Sequence, residues 1–199
     1  GETLPPGDDF PAPQQRGGEV VRTDGSAPRE RRQLYFESLK AAVAAARHRV
    51  LLATGYFVPT RRQWRLLAAA AERGVSVDLI LAGYSDQPSC IRAPRALYGR
   101  LLEHGVRIHE LHDGVLHAKV ATIDGVWTAI GSSNLDRRSF VYNNEMDAIV
   151  LGRPTARAAE TMLREWMSLA KPVTLEGWRS RSLHEHMGEL LTRAWSRYM

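Results

Sequence analysis

The stretch His117-Ala118-Lys119-Val120-Ala121-Thr122-Ile123-Asp124-Gly125-Val126-Trp127-Thr128-Ala129-Ile130-Gly131-Ser132-Ser133-Asn134 decides how this chain folds. Two apolar runs flank Asp124-Gly125, a dipeptide suited to the positive φ angles of a tight hairpin turn. Residues 119–123 and 126–130 therefore read as the two arms of a β-hairpin. Alternate residues of a strand share a face, so His117 and Lys119 are expected to project together. An imidazole that titrates near neutrality then sits beside a fixed positive charge. After the second arm, Gly131-Ser132-Ser133-Asn134 is a small-residue turn whose backbone and amide donors can face an anion. Nucleophile, cation and neutral donors converging on one point are what attack on a phosphodiester requires. The phosphoryl oxygens need their charge neutralised as the five-coordinate state forms.

Outward from the hairpin the chain alternates between helix and strand. Residues 106–111 read as a strand, preceded by a helix from about Pro94 that carries Leu97, Leu101 and Leu102 and stops at Gly105. The unit before it is built alike. Residues 75–81 form its strand, and its helix places Trp64, Leu67, Ala68 and Ala71 at i, i+3, i+4, i+7. Thr60-Arg61-Arg62-Gln63 supplies a capping box for that helix, and Gly74 ends it. Further upstream, residues 50–53 read as a buried strand running into Tyr56-Phe57-Val58-Pro59. Pro28 opens a helix with Tyr35, Leu39, Ala42, Val43 and Ala46 on one stripe, and Val20-Val21 opens a strand. Downstream, residues 146–151 read as a strand, and Pro154 opens a helix with Ala159, Met162, Leu163, Trp166 and Leu169 on its inner face. Residues 183–197 read as a last amphipathic helix carrying Leu183, Met187, Leu190, Leu191 and Trp195. The expected fold is α/β: a mixed, mostly parallel central sheet with helices on both faces. Two strand–helix units are too few for a solenoid. Residues 1–18 hold four of the ten prolines and read as a flexible linker, leaving 19–199 as one domain.

Composition narrows the function classes. The 199 residues include 27 basic and 22 acidic side chains, a net charge of +5, with 44% apolar and 25% charged residues. That is ordinary globular composition. The single cysteine, Cys90, excludes a disulfide framework and a Cys-based zinc cluster, and has no neighbour that suggests activation. No apolar run reaches the roughly 18 residues a membrane span needs. The expectation is a soluble, mildly basic domain whose partners are anionic. Only Lys40, Lys119 and Lys171 are lysines, which makes a lysine inside the motif conspicuous.

The spacing His-x-Lys-x4-Asp-x6-Gly-Ser-x-Asn is matched by His117, Lys119, Asp124, Gly131, Ser132 and Asn134, and Glu145 follows in Asn143-Asn144-Glu145. This pattern resembles the signature of the phospholipase D superfamily. Tyr56-Phe57-Val58-Pro59, Asn134-Leu135-Asp136-Arg137-Arg138-Ser139-Phe140 and the Trp178-bearing tail make residues 20–199 most similar to the second catalytic half of a bacterial cardiolipin synthase. The resemblance implies that His117 is the nucleophile forming a phosphohistidine, or the general acid for a partner half. Lys119 and Asn134, with Gly131 and Ser132, would hold the phosphate oxygens. Glu145 would orient the imidazole, and Asp124 would act chiefly as structural support. It implies no cofactor and no metal. Implied partners are an anionic phospholipid such as phosphatidylglycerol, a second motif-bearing half in the same chain or a homodimer mate, and a membrane surface met through parts outside these residues. Nucleic acid is the less favoured partner. The implied place is peripheral, at the bacterial inner membrane.

Other features read more plainly. His104, His109 and His112 lack the ligand pattern of a metal site and read as loop and surface histidines, while His184 and His186 diverge on a helix. Arg137-Arg138 lean to the substrate side. Trp166 reads as core, and Trp178 and Trp195 are open to either lipid or core. The Pro-rich start without an initiator Met favours a fragment of a two-motif enzyme over a single-motif homodimer. Three functions follow: a phosphatidyltransferase, a phospholipase D or nuclease that hydrolyses phosphodiesters, and a catalytically inert lipid-binding half.

Overall fold

A computed structural model describes residues 17–27, 34–85 and 88–181. Pro28, the helix expected over 183–197 with its two histidines, and all but the last two residues of the linker lie outside these. In chain order the elements are β1 (Val20–Ser26), α1 (Leu34–Ala45), β2 (Arg49–Thr54), α2 (Arg61–Glu72), β3 (Ser76–Ala82), α3 (Pro88–Glu103) and β4 (Arg107–Leu111). They continue with β5 (Lys119–Ile123), β6 (Trp127–Gly131), α4 (Arg137–Val141), β7 (Glu145–Leu151), α5 (Arg153–Leu169), β8 (Lys171–Val173) and α6 (Leu175–Arg179).

All eight strands join one sheet in the order β1-β7-β6-β5-β2-β3-β4-β8. Parallel pairing is confined to β2–β3 and β3–β4, the two steps made through α2 and α3. The other five pairs are antiparallel. The sheet is mixed as expected but mostly antiparallel, because of the longer helices only α2 and α3 join strands that are neighbours in the sheet, whereas α1 and α5 carry the chain between strands that are not adjacent. Strands buried on both faces explain the continuous apolar runs. Leu52, Leu79, Leu81, Ala121 and Ala129 face a core built with Leu39, Val43, Trp64, Leu67, Tyr98 and Leu101. Leu51, Ala53, Ile80 and Val120 face Ala159 and Leu163 of α5 on the other side. Each buried Leu, Ile or Val among these contributes about 1.5–3 kcal/mol.

The helix–strand junctions share one closure. Gly74 and Gly105 take φ of 88° and 84°. In the first, Gly74 N donates to Ala71 O and Val75 N to Ala70 O; in the second, Gly105 N donates to Leu102 O and Val106 N to Leu101 O. This double bond around a left-handed residue satisfies orphan carbonyls and turns the chain into β3 and β4. The capping box at α2 is present in both directions, Thr60 with Gln63.

Some expectations shift. α3 begins at Pro88, and Pro94 lies inside it, since Pro88 offers the same first-turn signal earlier. Leu169 is 62% exposed, because α5 ends as the chain leaves the sheet for β8. Trp178 is core: it packs on Tyr98 at 5.0 Å between ring centres. His104 and His109 bond to Glu72 and Asp78, at 2.7 and 3.1 Å, and His112 lies 3.5 Å from Glu110. His104 thus ties the end of α3 to α2 and His109 ties β4 to β3, while His112 contacts Glu110 two residues earlier.

Candidate active site

After β4 the chain must return across the sheet to start β5 beside β2, and this loop passes over the carboxyl ends of the parallel strands. Gly55 makes room for it. A Cβ there would lie 2.8 Å from Leu116 O and 3.3 Å from His117 Cα. The loop carries His117 as an exposed residue just before β5, and not within the strand as the alternation predicts. Its ring meets the edge of Tyr56 at 6.1 Å between centres. Among the described residues the imidazole makes no hydrogen bond.

Lys119, the first residue of β5, is only 8% exposed. Its Nζ donates to His117 O at 2.6 Å, so the ammonium lies under the histidine's own backbone. Burial pulls its pKa below the ordinary value of 10.5, while Glu145 and Asp136 act to keep it charged. Two acidic neighbours thus surround the one buried lysine. Asp136, the cap of α4, is pushed upward by burial and by Glu145, against the hydrogen bonds from Ser139.

Asn134 ties the far turn to β2. Its Oδ1 accepts from Thr54 Oγ1 at 3.2 Å and from Tyr56 N at 3.1 Å. Phe57 bridges to Leu135, with Val58 N donating to Leu135 O at 2.9 Å, so the segment after β2 zips onto the segment after the turn. With its carbonyl oxygen committed, the Asn134 amide keeps its NH2 group as a donor.

The remaining motif residues divide differently from the sequence expectation. Ser132 N and Ser132 Oγ both engage Met146 of β7, and Asn134 N donates to Ser139 Oγ at 3.1 Å. The two backbone N–H groups serve the turn itself, whereas the exposed Ser132 hydroxyl accepts from Met146 N at 2.9 Å. Gly131 permits a close strand approach: a Cβ there would sit 2.6 Å from Met146 O. Glu145 starts β7 and accepts from Asn143 Nδ2 at 3.1 Å; the expected bond to His117 is not made. Arg138 is exposed on α4.

Asp124 stands at the opposite end of β5, about 17 Å from Lys119 at ~3.4 Å per residue. Its carboxylate accepts from the backbone N–H groups of Arg47, His48 and Arg49 at 2.8, 2.9 and 2.8 Å. Asp124 and Gly125 form the expected turn with φ of 50° and 65°. Burial raises the Asp124 pKa, but the bonds from Arg49, Arg47 and His48 outweigh it and hold it below 3.8. Asp124→Ala is expected to cost about 2 kcal/mol by leaving those donors to water. Activity of the folded protein should be unchanged. In wild type this contribution is complete above the unfolded carboxyl value and lost as pH falls through the lower folded one. Urea midpoints of both proteins between pH 2 and 7 measure it: the gap should close toward the acid end.

The sequence reading missed Thr54, Asp136 and Asp147 as supports of this region. Asp136 had a signal, since Asp three residues before Ser139 is a cap pattern.

Comparison with known proteins places these observations in a family. The model of the cardiolipin synthase PLD-like domain matches residues 39–167. Cardiolipin synthase A of Proteus mirabilis is 29% identical over 187 residues, 94% of this chain and 38% of the relative. The Erwinia tasmaniensis protein of the same name is 30% identical over 192 residues, 94% of this chain and 39% of the relative. The chain thus spans under two-fifths of the length of these curated relatives. Among solved structures, Haemophilus influenzae phosphatidylserine synthase aligns with a TM-score of 0.71 at 13% identity, covering 90% of this chain and 46% of that one. Nuc of Salmonella typhimurium, a phospholipase D family member, aligns with a TM-score of 0.65 at 15% identity, covering 79% of this chain and 99% of that one.

Proposed function

Since the chain belongs to the cardiolipin synthase family of phospholipase D-like domains, we propose that it is a phosphatidyltransferase half-site working on phosphatidylglycerol at a membrane surface. An imidazole nitrogen of His117 attacks the phosphorus of one phosphatidylglycerol. The bond from phosphorus to the headgroup glycerol oxygen breaks, and that oxygen leaves with a proton as glycerol. The hydroxyl of a second phosphatidylglycerol then attacks the phosphohistidine, gives up its proton, and releases cardiolipin and free His117. Lys119 and the Asn134 NH2 neutralise and bond the phosphoryl oxygens as charge builds. A second motif-bearing unit supplies the proton for the leaving alcohol, in the same polypeptide or in a homodimer mate. Exposed Arg138 meets the anionic headgroup from the α4 side.

One observation supports this reading most: the His117 imidazole is exposed and makes no hydrogen bond among the described residues, while the buried Lys119 ammonium lies 2.6 Å from the His117 backbone oxygen. The full-length protein incubated with phosphatidylglycerol vesicles should yield cardiolipin and glycerol in equal amounts. Phosphatidic acid as the sole lipid product would instead make it a hydrolase, and no turnover would make it an inert lipid-binding half.

A further inference from the structure

Ser133 spends both of its donors on one residue. Its N–H and its hydroxyl donate to the two oxygens of Asp147, at 3.2 and 2.5 Å. Asp147 is 3% exposed, on β7. It stands opposite Gly131 on one side and Asp24 of β1 on the other. A Cβ on Gly131 would lie 2.0 Å from Asp147 Oδ1, so the carboxylate fills the space a side chain at 131 would need. The small residues of the turn are shaped around an anion of the protein's own.

Strand register extends this into a row. Thr54 pairs with Lys119, and the Val120–Ile130 pair puts Lys119 beside Gly131, which pairs with Asp147. The last member, Asp24, is 5% exposed, and its Oδ2 is buried with no hydrogen-bond partner among the described residues. Its Oδ1 takes a bond from Arg22 Nε at 2.6 Å. Like carboxylates directly opposite on neighbouring strands destabilise a sheet, and a buried charge is a weak source of stability. The use of Asp147 therefore lies in what it holds.

We propose that Asp147, with Asp24 behind it, is a positioning residue of the site: acting through Ser133, it fixes the turn of residues 131–134 and so aims the Asn134 amide toward Lys119. The inference rests on the phosphate-binding role proposed above for Asn134. Asp147 touches no reacting atom. It sets where Asn134 leaves the turn, while the Thr54 and Tyr56 bonds set the rotation of its amide.

The test is a double-mutant cycle in the full-length protein, read as phosphatidylglycerol turnover per folded molecule. Asp147→Ala should lower kcat by about 10²-fold, the cost of misplacing a catalytic contact by about 1 Å. Asp147→Asn can accept from Ser133 N and donate to Ser133 Oγ, and should restore activity to within about fivefold of wild type. Adding Ser133→Ala to Asp147→Ala should lower kcat no further, because both changes remove one linkage. Independent, multiplying losses would overturn the proposal, as would an Asp147→Ala protein that folds and keeps wild-type kcat. A loss that Asp147→Asn fails to restore would also overturn it, showing a role for the charge itself. If Asp147→Ala does not fold, Asp147→Ser takes its place in the same cycle, its short hydroxyl stopping shy of Ser133. A wild-type protein that neither turns over the lipid nor binds inorganic phosphate by calorimetry overturns the underlying reading, a result distinct from any within the cycle.

Discussion

His117→Ala is expected to abolish measurable turnover, lowering kcat by about 10⁴–10⁶-fold, the scale set by loss of other catalytic nucleophiles. Each factor of ten is about 1.4 kcal/mol, so about 5–8 kcal/mol of barrier lowering is assigned to this ring. The same substitution should leave stability nearly untouched. The ring is exposed, makes no hydrogen bond among the described residues and meets the Tyr56 ring edge to face. Its removal should change the unfolding free energy by less than about 0.5 kcal/mol. A urea titration run beside the kinetic assay checks both halves at once. Retained activity would remove His117 from the chemistry, and a large stability loss would mean that the loop depends on the ring for its path.

Lys119→Ala should lower kcat by about 10³-fold, the upper range for losing one stabilising donor at a developing oxyanion. Here stability should fall too. Glu145 and Asp136 both lie within electrostatic reach of the ammonium, and removing it leaves two partly buried carboxylates facing each other. Lys119→Arg should not restore full rate, since a planar guanidinium does not fit the place of a compact ammonium at a residue 8% exposed. The pH–rate profile carries a further signature. Burial brings the lysine's pKa down from 10.5, and deprotonation removes the cation. The alkaline limb should therefore come at lower pH than an exposed lysine would give, and should vanish in Lys119→Arg. An alkaline limb that persists unchanged in Lys119→Arg would assign it to another group.

Much of this molecule could be read along the chain because its signals are local. The Asp124-Gly125 turn, the Thr60–Gln63 cap and the paired closures at Gly74 and Gly105 each depend on residues within five positions of one another. Strand pairing is different, because its partners lie far apart. Nothing in residues 20–26 tells that β1 will pair antiparallel with β7, so the share of parallel pairing was overestimated. The same blindness hid Asp147 and Asp24. A carboxylate on a strand reads as solvent-facing, and only the pairing places both on the buried row beside Gly131. β8 was missed because a three-residue edge strand containing Pro172 has the composition of a loop.

At the site, spacing brought out Lys119 and Asn134, but it could not separate residues that face a ligand from those that build the turn. Gly131 and Ser132 fit the motif because β7 approaches them, and Asp124 fits it because it clamps the start of β2. The period-two rule failed for His117 because the strand starts two residues later, at Lys119.

In this mechanism His117 carries the phosphatidyl group between donor and acceptor as a covalent adduct. The most direct test is to stop the full-length protein in denaturant during turnover of phosphatidylglycerol, then map covalent phosphorus by mass spectrometry. An acid-labile phosphatidyl adduct is expected on His117, and it should disappear in Asn134→Ala or Lys119→Ala at matched times. Steady cardiolipin formation with no adduct on His117, or with the adduct on another residue, would contradict this mechanism.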